Sequence, residues 1–192
     1  TPSITAEKLT PRCINNRPTF AMLGTIEPRK NLGFLLDVWD DLGLTLTAEQ
    51  MPNLLIMGRR GWESRDLFKR LDATIELGFV VEQNDLDDKS VREYLMGCHA
   101  LLFPSHVEGY GLPAQEALAL GVPVVGSDIP VFQELFADSA TLISTKNMGA
   151  WIASIENHMK FKVESKETAP LPSNSSSWQS FFDKVYKNQH TE

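Results

Sequence analysis

The sequence predicts a doubly wound, Rossmann-like α/β domain: a parallel sheet of about six strands with helices on both faces. Two observations predict it. Short apolar runs alternate with helical patterns across residues 18–163, and no strand-turn-strand hairpin signal breaks the alternation. The runs are continuously apolar rather than alternating, which is the pattern of strands buried on both faces.

The elements follow in order. Residues 1–17 are polar and turn-rich and read as a linker or lead-in. Thr19-Phe20-Ala21-Met22-Leu23, stopped by Gly24, reads as the first strand. Leu32, Leu35, Leu36, Trp39 and Leu42 fall on one face of a helix. Residues 53–57, stopped by Gly58, form a second strand, and residues 64–75 a helix with Leu67, Phe68 and Leu71 inward. A third strand is expected from Ile75 to Val81, interrupted at Gly78, followed by a helical stripe of Val91, Tyr94, Leu95 and Cys98. Ala100 to Phe103 is a strand stopped by Pro104. Pro113 to Leu120 is a helix closed by Gly121, a natural left-handed stop. Val122–Val125 and Thr141–Ile143 complete the strands, with a short helix over 130–136 and a longer one over 148–159. Residues 164–177 have linker composition, and 178–192 form a last amphipathic helix with Trp178, Phe181, Phe182 and Val185 on one face.

Composition narrows the function. With 192 residues the chain suffices for one domain with a full core and is short for two. Its 42% apolar and 22% charged residues are globular values. The net charge of −7 argues against general nucleic-acid binding, which draws on Lys and Arg to neutralise phosphates. No apolar run reaches the ~18 residues needed to span a membrane. Cys13 and Cys98 stand far apart and suggest neither a metal site nor a disulfide framework. A start at Thr1 without Met reads as a piece of a longer protein.

Ligands of parallel α/β sheets bind beyond the carboxyl ends of the strands, here after Leu23, Met57, Val80, Phe103 and Val125. After Phe103 comes His106-Val107-Glu108-Gly109-Tyr110-Gly111-Leu112-Pro113-Ala114-Gln115-Glu116. Pro113 suits a first helical turn, and Leu112 before it offers no side-chain cap. An uncapped helix start beside two glycines is either a seat for an anion or a tight turn. The partial match of Gly109-x-Gly111-x-x-Ala114, with Asp128 downstream, to a dinucleotide fingerprint is rejected. Five residues separate it from its strand, which is the fourth and not the first. After the first strand, Gly24-Thr25-Ile26-Glu27-Pro28-Arg29-Lys30-Asn31 puts two cations at the start of a helix, where they oppose its dipole. They are either solvated or partners of a phosphate. Glu108 and Glu116 are either a working carboxylate pair or ordinary loop and helix residues. The histidines show no ligand spacing, and only His106 lies near the mouth.

Glu108-Gly109-Tyr110-Gly111-Leu112-Pro113-x-x-Glu116-Ala117, followed by Gly121-Val122-Pro123-Val124-Val125, resembles the retaining glycosyltransferases of family 4. The two glutamates separated by seven residues belong to the C-terminal, nucleotide-sugar-binding domain of that family's GT-B fold. Residues 24–31 look like its phosphate-binding loop, and the resemblance covers about residues 18–188. It implies that Lys30, aided by Arg29 and by close approach at Gly24, holds the donor diphosphate. Glu116 would accept from the ribose hydroxyls, and Glu108 would contact the donor sugar as the catalytic residue. The amides of Gly111 and Leu112 would face sugar and phosphate. The strand end at Val80 would contact the base. Many members carry Arg where this chain has Thr25, so Arg29 is a candidate replacement.

The resemblance further implies transfer of a sugar, mannose being the leading choice, from a GDP- or UDP-linked donor. The acceptor would be a glycan or a lipid-linked glycan in polysaccharide synthesis. It implies no metal and no cofactor, a separate N-terminal domain for the acceptor, and a cytoplasmic location at the inner face of the cytoplasmic membrane. Competing readings are a sugar-nucleotide epimerase of the same fold and a non-catalytic sugar-nucleotide-binding module.

Overall fold

The computed structural model describes residues 16–160. The sheet has six strands in the order β3-β2-β1-β4-β5-β6. These are β1 (Thr19–Leu23), β2 (Asn53–Met57), β3 (Val80–Gln83), β4 (Ala100–Phe103), β5 (Val124–Ser127) and β6 (Thr141–Ile143). Every neighbouring pair is parallel. The helices are α1 (Leu32–Thr45), α2 (Arg65–Glu76), α3 (Asp88–Met96), α4 (Leu112–Ala119), α5 (Pro130–Phe136) and α6 (Met148–Met159). A 3-10 turn, Pro28–Lys30, leads into α1.

Strand side chains alternate between two cores, as a pleated sheet requires. Phe20, Met22, Leu54, Ile56 and Leu102 join Leu35, Trp39, Leu71, Trp151 and Ile155 of α1, α2 and α6 on one face. Ala21, Leu55, Leu101 and Phe103 join Leu95, Ala114, Ala117, Phe132 and Phe136 of α3, α4 and α5 on the other. Both faces are covered, so the expected doubly wound fold is the one observed.

Several boundaries differ from expectation: α4 starts at Leu112 rather than Pro113, so Gly111 and not Leu112 is its cap, and two strands are shifted. The strand expected from Ile75 begins only at Val80, because Ile75 lies four residues after Leu71 and belongs to the last turn of α2. Gly78, at φ +83°, makes the turn between helix and strand. The strand therefore ends at Gln83, two residues beyond the expected Val81 and three beyond the Val80 assigned to the base. β5 is shifted by two residues, to 124–127. Pro123 lies just outside it, although its carbonyl still accepts from the Leu101 amide at 2.8 Å. Gly126 continues the strand because it must be small: a Cβ there would sit 3.3 Å from both Leu142 and Phe132. The 164–177 linker, the 178–192 helix and all but the end of the 1–17 lead-in lie outside the described residues.

This strand order reverses direction between β1 and β4, which opens a crevice at their carboxyl ends. The segments after β1 and β4 both start there.

Candidate functional site

Helix starts distinguish the crevice. Ser64, Asp87 and Asn147 cap α2, α3 and α6 by accepting from the Leu67, Ser90 and Ala150 amides. The caps of α1 (Asn31) and α4 (Gly111) make no such bond, and both residues are left-handed, at φ 58° and 61°. α5 also lacks a side-chain cap. Gly111 is required twice over. Its backbone is left-handed, and a Cβ would come within 3.0 Å of both the Phe132 and Phe136 rings. The first turns of α1 and α4 therefore present amides without side-chain acceptors at the switch point.

Between them lies a buried ion-pair cluster. The Lys30 ammonium is 2.7 Å from Glu108 Oε1, with side chains only 6% and 7% exposed. Arg29 reaches Glu108 Oε2 at 2.9 Å and Glu27 Oε1 at 2.7 Å. Ser105 Oγ donates to Glu108 Oε1 at 2.8 Å. The ammonium also lies 4.6 Å from the centre of the Phe103 ring. Its stem runs across Gly24, where a Cβ would stand 3.3 Å from Lys30 Cε. The two loops are pinned together by backbone as well: the His106 amide donates to the Arg29 carbonyl, and Asn31 Nδ2 to the Pro104 carbonyl. Gly24, Arg29, Lys30 and Glu108 thus meet at one place. The His106 side chain is exposed.

Other expected residues stand apart. Leu112 is at the α4 start and half exposed. Glu116 lies one turn further, its carboxylate without a hydrogen-bond or ion-pair partner among the described residues. Burial pushes its carboxyl up, Arg92 of α3 pulls it down, and Asp88 pushes it up again. Val80 is buried at the start of β3, 1% exposed, and the strand's carboxyl end at Gln83 is what reaches the mouth.

Sequence reasoning missed three features. A cleft of about 280 Å³ opens beside Gly24 and Thr25, lined by Gly58, Arg59, Gln83 and Asp85. Gly58 permits its floor, since a Cβ there would lie 2.1 Å from the Gly24 carbonyl oxygen. Arg59 pairs with Asp85 at 2.5 Å over this cleft, so it is a second cation near Thr25. Trp62 is exposed, and its indole N–H donates to Glu27 Oε2 at 3.2 Å. Ser105, fully buried directly after β4 and Pro104, is the third. Its place at a strand end was the available signal. Among the described residues no three His, Cys, Asp or Glu side chains cluster as metal ligands would. No described helix is long and apolar enough to cross a membrane.

Comparison with known proteins places the fold and the family. The chain is 31% identical over 133 residues to O-antigen chain mannosyltransferase B of Escherichia coli, covering 69% of the chain and 34% of that protein. It is 32% identical over 149 residues to the serotype-specific mannosyltransferase WbdA of E. coli, covering 73% of the chain and 18% of that protein. The chain thus spans about a third or less of these relatives. Among solved structures, the C-terminal domain of a group 1 glycosyl transferase (LpcC) from Francisella tularensis superposes with a TM-score of 0.60 at 18% identity. That match covers 73% of this chain and 74% of that one. Anabaena HepE in complex with UDP-glucose gives 0.62 at 18% identity, covering 76% and 40%. The profile of the family described as glycosyl transferases group 1 matches residues 9–169, so the chain belongs to that family.

Proposed function

We propose that this chain is the donor-binding half of a retaining glycosyltransferase of GT-B type. It would hold a nucleotide-diphosphate sugar while a hexose, mannose in the leading case, passes to a glycan or lipid-linked acceptor in polysaccharide synthesis. The observation that carries the reading is the convergence of Lys30, Arg29 and Gly24 with the α1 and α4 starts at the switch point. The similarity to mannosyltransferases and to a C-terminal glycosyl transferase domain supports it.

In this reading Lys30 and Arg29 neutralise the charge that grows on the leaving diphosphate, and the Gly111 and Leu112 amides add the helix-start contribution. Glu108 contacts the donor sugar. Glu116 accepts from the ribose hydroxyls; its charged neighbours lie on α3, whose Val91 lines the cleft. The base contacts expected at the third strand's end move with that end to Gln83. Arg59 joins Arg29 as a candidate for the cation replaced at Thr25. Charge neutralisation by these side chains needs no metal. The acceptor is assigned to an N-terminal domain outside this chain, and the whole protein to the cytoplasm, at the inner face of the cytoplasmic membrane.

A thermal-shift panel of nucleoside diphosphates and nucleotide sugars, in chelator, tests the reading. A ligand at ~100 times its Kd stabilises by about 2.7 kcal/mol. For a domain of this size that is a Tm rise of about 5 °C or more. Stabilisation that appears only with magnesium or manganese overturns the metal-free clamp. Sugar transfer by the 192-residue chain alone overturns its assignment as a half.

A further inference from the structure

The anion seat is already matched by carboxylates. Arg29 is shared between Glu27 and Glu108, and Lys30 is held by Glu108. A diphosphate oxygen bonded to the Lys30 ammonium would lie a few ångströms from a Glu108 carboxylate that is almost fully out of water. Two anions at that range in a poorly solvated site repel strongly. One of them has to give way.

What holds Glu108 in place is a chain that the donor-binding reading does not use. Ser105 Oγ donates to Oε1, the same oxygen that Lys30 takes. Ser105 is itself fixed: it is fully buried, and its carbonyl accepts from the Ser127 hydroxyl at 2.5 Å. Ser127, 2% exposed, ends β5, so the chain runs from the sheet to the carboxylate. Because hydroxyl and ammonium act on one oxygen, the carboxylate cannot clear the ammonium without giving up the hydroxyl too.

We propose that Ser105 is a positioning residue that seats the Glu108 carboxylate on Lys30 and Arg29 as a counter-ion, which the donor diphosphate displaces. The proposal rests on the reading of Lys30 and Arg29 as a phosphate clamp. It gives Glu108 an opposing part before the sugar arrives: together with Glu27 it neutralises the empty clamp. Ser105 sets how firmly.

Calorimetry on the 192-residue chain tests this, with GDP and UDP as probes and guanosine and uridine as references. Removing the charge of Glu108 with Glu108→Gln keeps its shape and should tighten diphosphate binding about tenfold, the scale of one charge-assisted bond. Ser105→Ala should tighten it in the same direction by about threefold, the scale of one neutral-donor bond. Neither change should alter nucleoside binding. Ser105→Thr, which keeps the hydroxyl, should bind as the wild type does. Ser105→Ala combined with Glu108→Gln should equal Glu108→Gln alone, since the serine acts through the charge. If Ser105→Ala does not fold, Ser127→Ala, which frees the Ser105 carbonyl, should move affinity the same way. Unchanged or weaker diphosphate binding in the serine variants, or effects that add to Glu108→Gln, overturn the proposal. Lys30→Met separates the two levels. If it abolishes diphosphate binding while the serine predictions fail, only the positioning role falls. If it binds like the wild type, the clamp falls and the proposal with it.

Discussion

Among the clusters of this domain that join a basic side chain to two carboxylates, two differ in depth and in what surrounds them. Arg60 binds Glu82 of β3 through Nε and NH2 and Asp72 of α2 at 2.5 Å, and lies over the Phe68 ring at 5.3 Å. The hydrogen bonds it donates to Glu82 first, then to Asp72, push the guanidinium still further from deprotonation. This cluster sits at the edge strand, with Arg60 a third exposed and Asp72 more than half. It links β3, α2 and the loop after β2, where Ile26 bridges Arg60. The Lys30–Glu108–Arg29 cluster sits instead at the switch point, beside helix starts whose amides have no side-chain acceptors. At the edge one guanidinium is shared by two carboxylates, Asp72 facing water and Glu82 10% exposed. The inner one is matched at a place where backbone dipoles favour a further anion. Similar residue chemistry makes a brace in one position and a binding seat in the other.

The largest effect separates the two clusters by burial. Lys30→Met leaves the Glu108 carboxylate buried without its ammonium. Breaking such a pair from one side costs about 3 kcal/mol or more. Urea unfolding should show that loss, and Lys30→Met with Glu108→Gln should recover most of it. A loss well under 1 kcal/mol would place the pair in effectively aqueous surroundings and erase the contrast.

Glu116 sharpens the contrast from the seat's far side. Its carboxyl is raised, chiefly by burial, so the folded state holds its proton to higher pH than the unfolded chain does. Stability from this group falls as pH rises from about 4.3, the unfolded value, through the higher folded value. Glu116→Gln should therefore leave the domain as stable as the wild type or slightly more so at pH 7. It should also weaken ribonucleoside diphosphates about tenfold or more, the scale of a lost bond to a charged acceptor. A dideoxy diphosphate should be unaffected. Equal losses for both ligands make Glu116 structural.

How much of this was legible follows from sequence distance. The uncapped start of α4 was readable because cap, glycine and proline lie within a few residues of each other. The inner strands β1, β2 and β4 were readable because each is an apolar run stopped by Gly or Pro. The third strand was misplaced where two local signals competed: Ile75 fits both an apolar run and the period of α2, and tertiary packing chose the helix. The Lys30–Glu108 pair joins residues 78 apart, so the motifs named both partners without showing that they neutralise each other. Ser105, Arg59 and Asp85 carry no pattern of their own. They matter only because neighbouring strands bring them to one mouth.

Arg60→Met tests the brace. The network is partly solvated, so its loss should cost about 1 kcal/mol or less, after screening. That corresponds to a Tm fall of about 2–4 °C in a domain this size. Diphosphate affinity should stay at the wild-type value, because no residue of the cluster reaches the seat. A tenfold loss of affinity would join the two clusters into one device.

The smallest effect is on the acid side. Asp72 is held below its ordinary range chiefly by the Arg60 hydrogen bond, against burial, with Arg60's charge adding last. A depressed folded value means the group contributes stability above its unfolded value, about 3.9, and loses it as pH falls through the folded one. Comparing wild type with Asp72→Asn by chemical unfolding should show curves separated at pH 6 that converge as pH drops below about 4. Salt should shrink the separation, because the pair is exposed. The inner pair is screened far less, so the stability difference between wild type and Lys30→Met should survive the same salt. If salt erases both differences equally, burial does not distinguish the clusters, and the division between brace and seat fails at its physical root.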